Sequence, residues 1–132
     1  MDIGIATYVL TGFALLSLLH VGTQSLLLKA SVGNAWTMGA RDTAVQPGAL
    51  AGRATRALHN FLETTPTFLV LMLAAHVAQR GGIWIEVGAG AYLAGRFVYL
   101  PAYVSGVPYL RSAAWLVATI GLVLMLGGVV FP

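Results

Sequence analysis

The stretch RATRALHNFLETTPTFLVLMLAAHV, residues 53–77, decides the fold, because it opens with clustered polar groups and ends in mostly apolar residues. On a helix, side chains three and four positions apart share one face. The steps from Arg53 to Arg56, Asn60 and Glu63 are three, four and three, so these side chains form a single stripe. The stretch therefore predicts a helix whose first half carries a polar face and whose second half suits lipid.

The composition of the whole chain indicates a membrane protein. Of its 132 residues, 58% are hydrophobic and only 8% are charged, whereas soluble domains carry about 25% charged residues. Such a surface has too few polar groups for water, so we expect lipid to cover most of it. The net charge of +3 contains no run of lysine or arginine, which argues against nucleic-acid binding.

Thiol and metal chemistry by the chain's own residues is not expected. The chain has no cysteine, so disulfides, thiolate metal sites and a protein thiol nucleophile are excluded. His20 and His76 lie alone on apolar segments, with no second ligand at metal spacing. We therefore predict no metal site, and each histidine is interpreted as a hydrogen-bonded residue inside a helix bundle.

Four segments have roughly the 20 mostly apolar residues that a membrane-spanning helix needs. The predicted helices cover residues 3–28, 53–79, 83–104 and 111–131, and a long polar loop of irregular structure covers 29–52. The other two connections are short, and short connections make neighbouring helices antiparallel. The predicted fold class is therefore all-α: a single transmembrane domain, built as an integral membrane four-helix up-down bundle.

Basic residues predict the orientation of this bundle. Loops one and three are flanked by five of them: Lys29, Arg41, Arg53, Arg56 and Arg111. The opposite side has only Arg80. Short loops rich in lysine and arginine stay in the cytoplasm, so a multi-pass protein with both termini outside the cytoplasm is expected.

A second polar stripe marks the third helix. The steps from Tyr92 to Arg96, Tyr99 and Tyr103 are four, three and four, so these side chains share one face. Arg96 is about 12 Å from the predicted helix end at 1.5 Å per residue. A charge at such a depth costs at least ~2.5 kcal/mol unless it is paired. Since Glu63 lies at a comparable depth, the two stripes predict a shared polar cavity.

Two interpretations of these stripes are possible. In the first, a Glu63–arginine pair only fixes the register of the helices, as buried pairs commonly do. In the second, the cavity binds an anion, because four arginines face one carboxylate and the arginine fork suits carboxylates. The surplus consists of Arg53, Arg56, Arg96 and Arg111. It favours a small polyanionic ligand in a site that opens toward the cytoplasm.

Both stretches resemble a known family, the membrane-associated proteins in eicosanoid and glutathione metabolism (MAPEG). RATRALHNFLETTPTF, residues 53–68, is similar to its second-helix signature of Arg, three residues, Asn, two residues, Glu and then Pro. YLAGRFVYLPAYVSGVPYLRS, residues 92–112, resembles its third helix and the following loop. The chain looks closest to the small bacterial branch, which implies a bacterial inner membrane.

The resemblance implies a homotrimer with glutathione, as co-substrate, bound between neighbouring subunits near the cytoplasmic face. Carried over, the glutathione-binding positions are Arg56, Asn60, Glu63, Arg96, Tyr99 and Tyr103. His59 stands where some relatives have arginine, and Arg53 joins this set through its place on the stripe. Arg111 falls on the arginine thought to activate the thiol, and Ser112 on a neighbouring hydroxyl. Asp42 lies in the loop where prostaglandin-synthesising members have an acid, and the sequence assigns it no role.

Three functions remain open at this point. The first is a glutathione-dependent transferase or peroxidase for lipophilic electrophiles, in which Arg111 holds the thiolate. There Ser112 either donates a hydrogen bond to the thiolate or caps the start of the fourth helix. The second is a family member that binds without catalysis, as a lipid-sensing or scaffold protein. The third is a small multidrug/proton exporter, a class that depends on a carboxylate in the first helix, where this chain has only Asp2.

Overall fold

All regular structure in residues 3–131, the range that the computed structural model describes, is helical. Five helices follow one another: α1 Ile3–Val32, α2 Asn34–Met38, α3 Ala49–Val77, α4 Ile83–Ser105 and α5 Pro108–Val130. The predicted all-α class is therefore confirmed. Asp2, which bears on the exporter hypothesis, lies outside the described residues.

The long loop predicted as irregular contains the short helix α2, so the expectation of four helices is corrected to five within residues 3–131. Gly33 adopts a φ of 85° and separates α1 from α2, because glycine enters the left-handed region without a steric penalty. At the other end of the loop, the Gly48 N–H donates to Ser31 Oγ at 2.6 Å. This bond ties the start of α3 to the end of α1.

The last helix begins at Pro108, where the sequence predicted a start at residue 111. Gly106, with a φ of 81°, ends α4 in the left-handed conformation that glycine commonly supplies at a helix C-terminus. Proline then suits the first turn of α5, since a first-turn N–H has no helical partner to lose. The connection between α4 and α5 is consequently shorter than predicted, and Arg111 lies within the first turns of α5.

The closest packing joins α4 to α5 through small residues. A Cβ added at Gly88 would lie 2.6 Å from the Gly121 carbonyl oxygen, and one added at Gly95 would lie 2.7 Å from that of Ala114. Such small residues let helix backbones approach closely where lipid surrounds the protein. Because later residues of α4 meet earlier residues of α5, the two helices run antiparallel.

A stack of aromatic rings forms the main core between α1, α3 and α4. Phe13 lies between Phe61 and Phe68, with ring centroids 5.5 and 4.9 Å apart, and Phe68 stacks on Tyr92 at 4.5 Å. These rings are buried, whereas the outward faces of the helices carry many exposed large apolar side chains. A second, smaller cluster contains Ala57, Tyr99 and Ala114 and lies toward the α4–α5 connection.

Two helices of the described range, α1 and α5, are long and apolar enough to cross a membrane by length and composition. The sequence predicted four such spans, and α3 and α4 do not meet the same measure. The reason is their polar content: α3 carries the stripe that contains Glu63, and α4 carries Glu86 and Arg96. These two helices also supply most of the candidate site.

Candidate functional site

Arg96 lies at the base of the candidate site and is completely buried, with 0% of its surface exposed. Its guanidinium donates from Nη1 to Asn60 Oδ1 at 2.7 Å and from Nη2 to Thr64 Oγ1 at 2.8 Å. It also lies over the rings of Tyr92 and Tyr99, at 5.6 and 5.3 Å from their centroids. Two stripes that the sequence placed on separate helices are therefore joined by the side chain of Arg96.

Asn60 connects this buried cation to the carboxylate of Glu63. Its Oδ1 accepts from Arg96, and its Nδ2 donates to Glu63 Oε2 at 3.2 Å. Glu63 is exposed on the surface of the isolated chain, whereas Asn60 is half-buried. Asn60 thus links a fully buried cation to an exposed carboxylate through two hydrogen bonds.

Thr64 completes the buried half of the network and was not among the site residues predicted from the sequence. Its hydroxyl lies 2.9 Å from Tyr92 Oη and accepts from Arg96. The available signal was its position four residues after Asn60, which puts it on the same helical face. Threonine is common in apolar helices, so its presence beside charged residues did not by itself predict a role in the site.

Near the end of α4, the ring of Tyr103 makes cation–π contacts with two of the predicted arginines. The guanidinium of Arg111 lies 4.9 Å from its ring centroid, and that of Arg56 lies 6.0 Å away. Tyr99 packs edge-on against the same ring at 5.4 Å. Arginine over an aromatic face is stabilised by the ring quadrupole, so Tyr103 holds residues from α3 and α5 together.

Arg53 packs across the α4–α5 connection. A Cβ added at Gly106 would lie 2.9 Å from Arg53 Nη1, so the guanidinium packs directly against this glycine and would have to shift for a larger residue. The side chain is half-buried, and its Nε has no hydrogen-bond partner. Arg53 therefore lies at the same end of the bundle as Arg56, Arg111 and Tyr103.

Two predicted site residues have weaker connections to this group. His59 is exposed beside the α3 stripe. Ser112 is exposed, and its hydroxyl donates to the carbonyl of Pro108 at 3.0 Å. The suggestion that Ser112 caps the helix start is wrong, because α5 already begins at Pro108 and the hydroxyl bonds backward within it.

The charges of the described site residues do not cancel one another. No nitrogen of the four arginines lies within 4.0 Å of the Glu63 carboxylate across the part of the chain that the structure describes. A direct Glu63–arginine pair that fixes register is therefore not the arrangement present. Since the site residues include four arginines and the single carboxylate of Glu63, the group carries a net positive charge that a small anion would balance.

Comparison with known proteins gives one match. A family model described as the MAPEG family matches residues 5–131. A search of curated proteins and a search of solved structures gave no significant match.

Proposed function

The chain belongs to the MAPEG family, and on that premise we propose that it is a glutathione-dependent membrane transferase or peroxidase for lipophilic electrophiles. The observation that carries this proposal is the arginine surplus around Tyr103, where the guanidinium groups of Arg56 and Arg111 lie against one ring and neither pairs with the Glu63 carboxylate. Glutathione has two carboxylates, one ammonium group and one thiol, and these groups suit the residues of the site.

The site offers a distinct partner for each charged group of glutathione. Arg56, which is exposed, and Arg53, which is half-buried, supply guanidinium groups for its carboxylates, since arginine binds a carboxylate through two parallel hydrogen bonds. Glu63 suits the ammonium group. The hydroxyls of Tyr99 and Tyr103 suit its peptide bonds, and His59 lies near enough in sequence to add a further contact.

Arg96 contributes to binding without touching the ligand in this arrangement. Its side chain has no exposed surface, so its charge acts through Asn60 on the carboxylate of Glu63. The hydrogen bond from Arg96 to Oδ1 orients the side-chain amide of Asn60. The Nδ2 group of that amide then donates to Glu63. In the proposed complex, Arg96 is therefore the base of the site, and Glu63 is the group that meets the ammonium.

Arg111 is the proposed activating residue. A free thiol has a pKa of about 8.5, and a nearby cation lowers it by favouring the thiolate. Arg111 is held over Tyr103 at the mouth of the bundle, where it can form an ion pair with the glutathione sulfur. Ser112 is the second proposed catalytic residue, since its hydroxyl can turn from Pro108 toward the thiolate.

The thiolate then attacks a carbon of the electrophile and forms a C–S bond while a leaving group departs with its electron pair. With a hydroperoxide as substrate, the thiolate attacks the outer oxygen and the O–O bond breaks, which releases the alcohol and leaves the sulfenic acid of glutathione. A second glutathione then converts the sulfenic acid to glutathione disulfide and water. The electrophile is an apolar molecule that enters from the bilayer between helices. Membrane lipid is thus both the surroundings of the protein and the route of this substrate.

The proposed assembly is a homotrimer of transmembrane domains in which α1, α3, α4 and α5 all cross the bilayer. In it, a neighbouring subunit covers the exposed side of Glu63 and Arg56 and closes the ligand cleft. The protein is expected in a bacterial inner membrane with both termini outside the cytoplasm. That orientation places the arginine-rich end of the bundle at the cytoplasmic face, where soluble glutathione is available.

The proposal is tested by measuring glutathione binding and turnover on the detergent-solubilised protein. Isothermal titration should detect binding of glutathione, and an aryl halide with glutathione should give the thioether. Absence of glutathione binding would contradict the proposal. Binding without turnover, over a panel of aryl halides and hydroperoxides, would favour the non-catalytic binding protein.

A further inference from the structure

His20 is fully buried on α1, and one of its ring nitrogens has no partner. Its Nδ1 lies 3.0 Å from the carbonyl oxygen of Leu16. A carbonyl only accepts, so Nδ1 carries the proton and Nε2 presents a lone pair. Because a buried acceptor without a hydrogen bond is destabilising, His20 Nε2 requires a donor.

Arg96 has the complementary deficiency. Its Nη1 and Nη2 donate to Asn60 and Thr64, but its Nε is buried and has no acceptor. An arginine Nε–H can only donate. The Arg96 donor and the His20 acceptor are therefore both buried without a partner in the same bundle.

The aromatic core places His20 beside the residues that hold Arg96. The His20 ring stacks on Phe61, with ring centroids 4.2 Å apart and an interplanar angle of 17°. Phe61 directly follows Asn60 in α3, and Asn60 accepts from Arg96. His20 thus contacts the helical turn of α3 that carries the principal partner of the buried cation.

The depths of the two side chains also agree. Phe13 of α1 lies against Tyr92 of α4, with ring centroids 6.5 Å apart. His20 follows Phe13 by two helical turns, and Arg96 follows Tyr92 by one, on helices that run in the same direction. At 1.5 Å per residue the axial offset between them is about 4.5 Å.

We propose that a single buried water molecule joins His20 to Arg96. The water accepts from Arg96 Nε–H and donates to His20 Nε2, which gives it the two polar partners that a buried water needs as a minimum. Within the described residues neither His20 Nε2 nor Arg96 Nε has a protein hydrogen-bond partner, so no direct bond between the two side chains takes the place of the water. His20 is then a positioning residue, because it fixes Arg96 and, through Asn60, the carboxylate of Glu63.

The effect on ligand binding rests on the proposed function, whereas the water site itself does not. The first experiment therefore compares the glutathione affinity of two variants. His20→Phe keeps a ring stacked on Phe61 but removes the acceptor. His20→Gln keeps an acceptor near the position of Nε2. Ser17→Ala is the control, because its hydroxyl only donates to Phe13 within α1. Isothermal titration in detergent gives the dissociation constants.

His20→Phe should bind glutathione roughly tenfold more weakly, which equals about 1.4 kcal/mol, and His20→Gln and Ser17→Ala should stay within about twofold of the parent protein. A purely packing role predicts the opposite order, since phenylalanine preserves the stack and glutamine does not. Parent-like affinity in His20→Phe, or an equal loss in both His20 variants, overturns the positioning role.

The second experiment needs neither a variant nor a ligand. A high-resolution experimental structure of the intact protein should contain water density within hydrogen-bond distance of both His20 Nε2 and Arg96 Nε. A protein donor on Nε2, or a separation of the two nitrogens beyond roughly 6 Å, the reach of two hydrogen bonds, overturns the water site. If the parent protein does not bind glutathione, the proposed function fails while this density still decides the inference.

Discussion

Asn60 accepts a 2.7 Å hydrogen bond from Arg96, a completely buried arginine. The same side-chain amide donates a second hydrogen bond, of 3.2 Å, to the carboxylate of Glu63. A buried cation is costly unless hydrogen bonds satisfy its donors. The amide of Asn60 meets that need on one side and presents donors to a carboxylate on the other. This arrangement links a fully buried cation to a carboxylate that is exposed at the surface of the chain.

Replacement of Asn60 and Arg96, singly and together, should reveal strong energetic coupling between the two residues. In a double-mutant cycle of Asn60→Ala and Arg96→Met, the coupling energy should be about 1–3 kcal/mol, because each single variant leaves buried polar groups without a partner. Chemical unfolding in detergent, followed by circular dichroism, measures the four free energies of unfolding. The pair Thr119→Val and Arg96→Met is the control, and it should show additivity; equal coupling in both cycles would mean that the contact is unimportant.

Loss of Arg111 should change the chemistry of the bound thiol more than its affinity. A cation beside the sulfur lowers the thiol pKa, so thiolate persists at lower pH; Arg111→Ala should shift the thiolate titration upward, toward about 8.5. The thiolate absorbance of the glutathione complex, measured across pH, reports this midpoint. Arg41→Gln, which removes a basic residue outside the site, should leave the midpoint in place, and an unshifted midpoint in Arg111→Ala would refute the assigned role.

Tyr103 should act chiefly through its ring, which contacts two arginines, and to a smaller extent through the hydroxyl proposed to meet glutathione. Tyr103→Phe keeps an aromatic face for Arg56 and Arg111, whereas Tyr103→Leu removes it, and a cation–π contact is worth about 0.5–2 kcal/mol. Turnover of an aryl halide should therefore fall several-fold further in Tyr103→Leu than in Tyr103→Phe, with the greater part of the loss in kcat if Arg111 is displaced. An identical loss in both variants would instead assign the effect to the phenol hydroxyl.

The contact between α4 and α5 should tolerate no side chain at Gly88. A Cβ there would meet the Gly121 carbonyl oxygen at 2.6 Å, and backbone cannot move aside cheaply; overpacking of this kind costs about 1–3 kcal/mol. Gly90 is the matched control, since nothing lies within 4 Å of its added Cβ, and alanine there should be neutral or stabilise the helix by up to about 1 kcal/mol.

Thermal unfolding of Gly88→Ala and Gly90→Ala, at equal protein and detergent concentrations, compares the two positions directly. Both substitutions raise helix propensity by the same amount, so the difference between them isolates the steric term. A Gly88→Ala protein as stable as Gly90→Ala would indicate that the two helices can separate without loss.

Much of the molecule follows from one-dimensional patterns. The apolar runs predict the four long helices, and the spacing of Asn60 and Glu63 or of Arg96 and Tyr103 places each pair on one helical face. The structure agrees that α3 and α4 bring these faces together. The short helix α2 and the start of α5 at Pro108 were not predicted, because local turn chemistry rather than hydrophobic period sets them.

The sequence by itself determined that the chain is helical, that it is too poor in charge for water, and that arginines exceed carboxylates along two stripes. Only the tertiary structure decided that Arg96 is buried against Asn60 and Thr64, that the Ser112 hydroxyl bonds to Pro108, and that His20 lies on the turn holding Asn60. The physical reason is that helical periodicity fixes which side chains share a face. The depth and rotation at which two faces meet depend on close contacts between helices, such as those of Gly88 and Gly95, which no periodicity encodes.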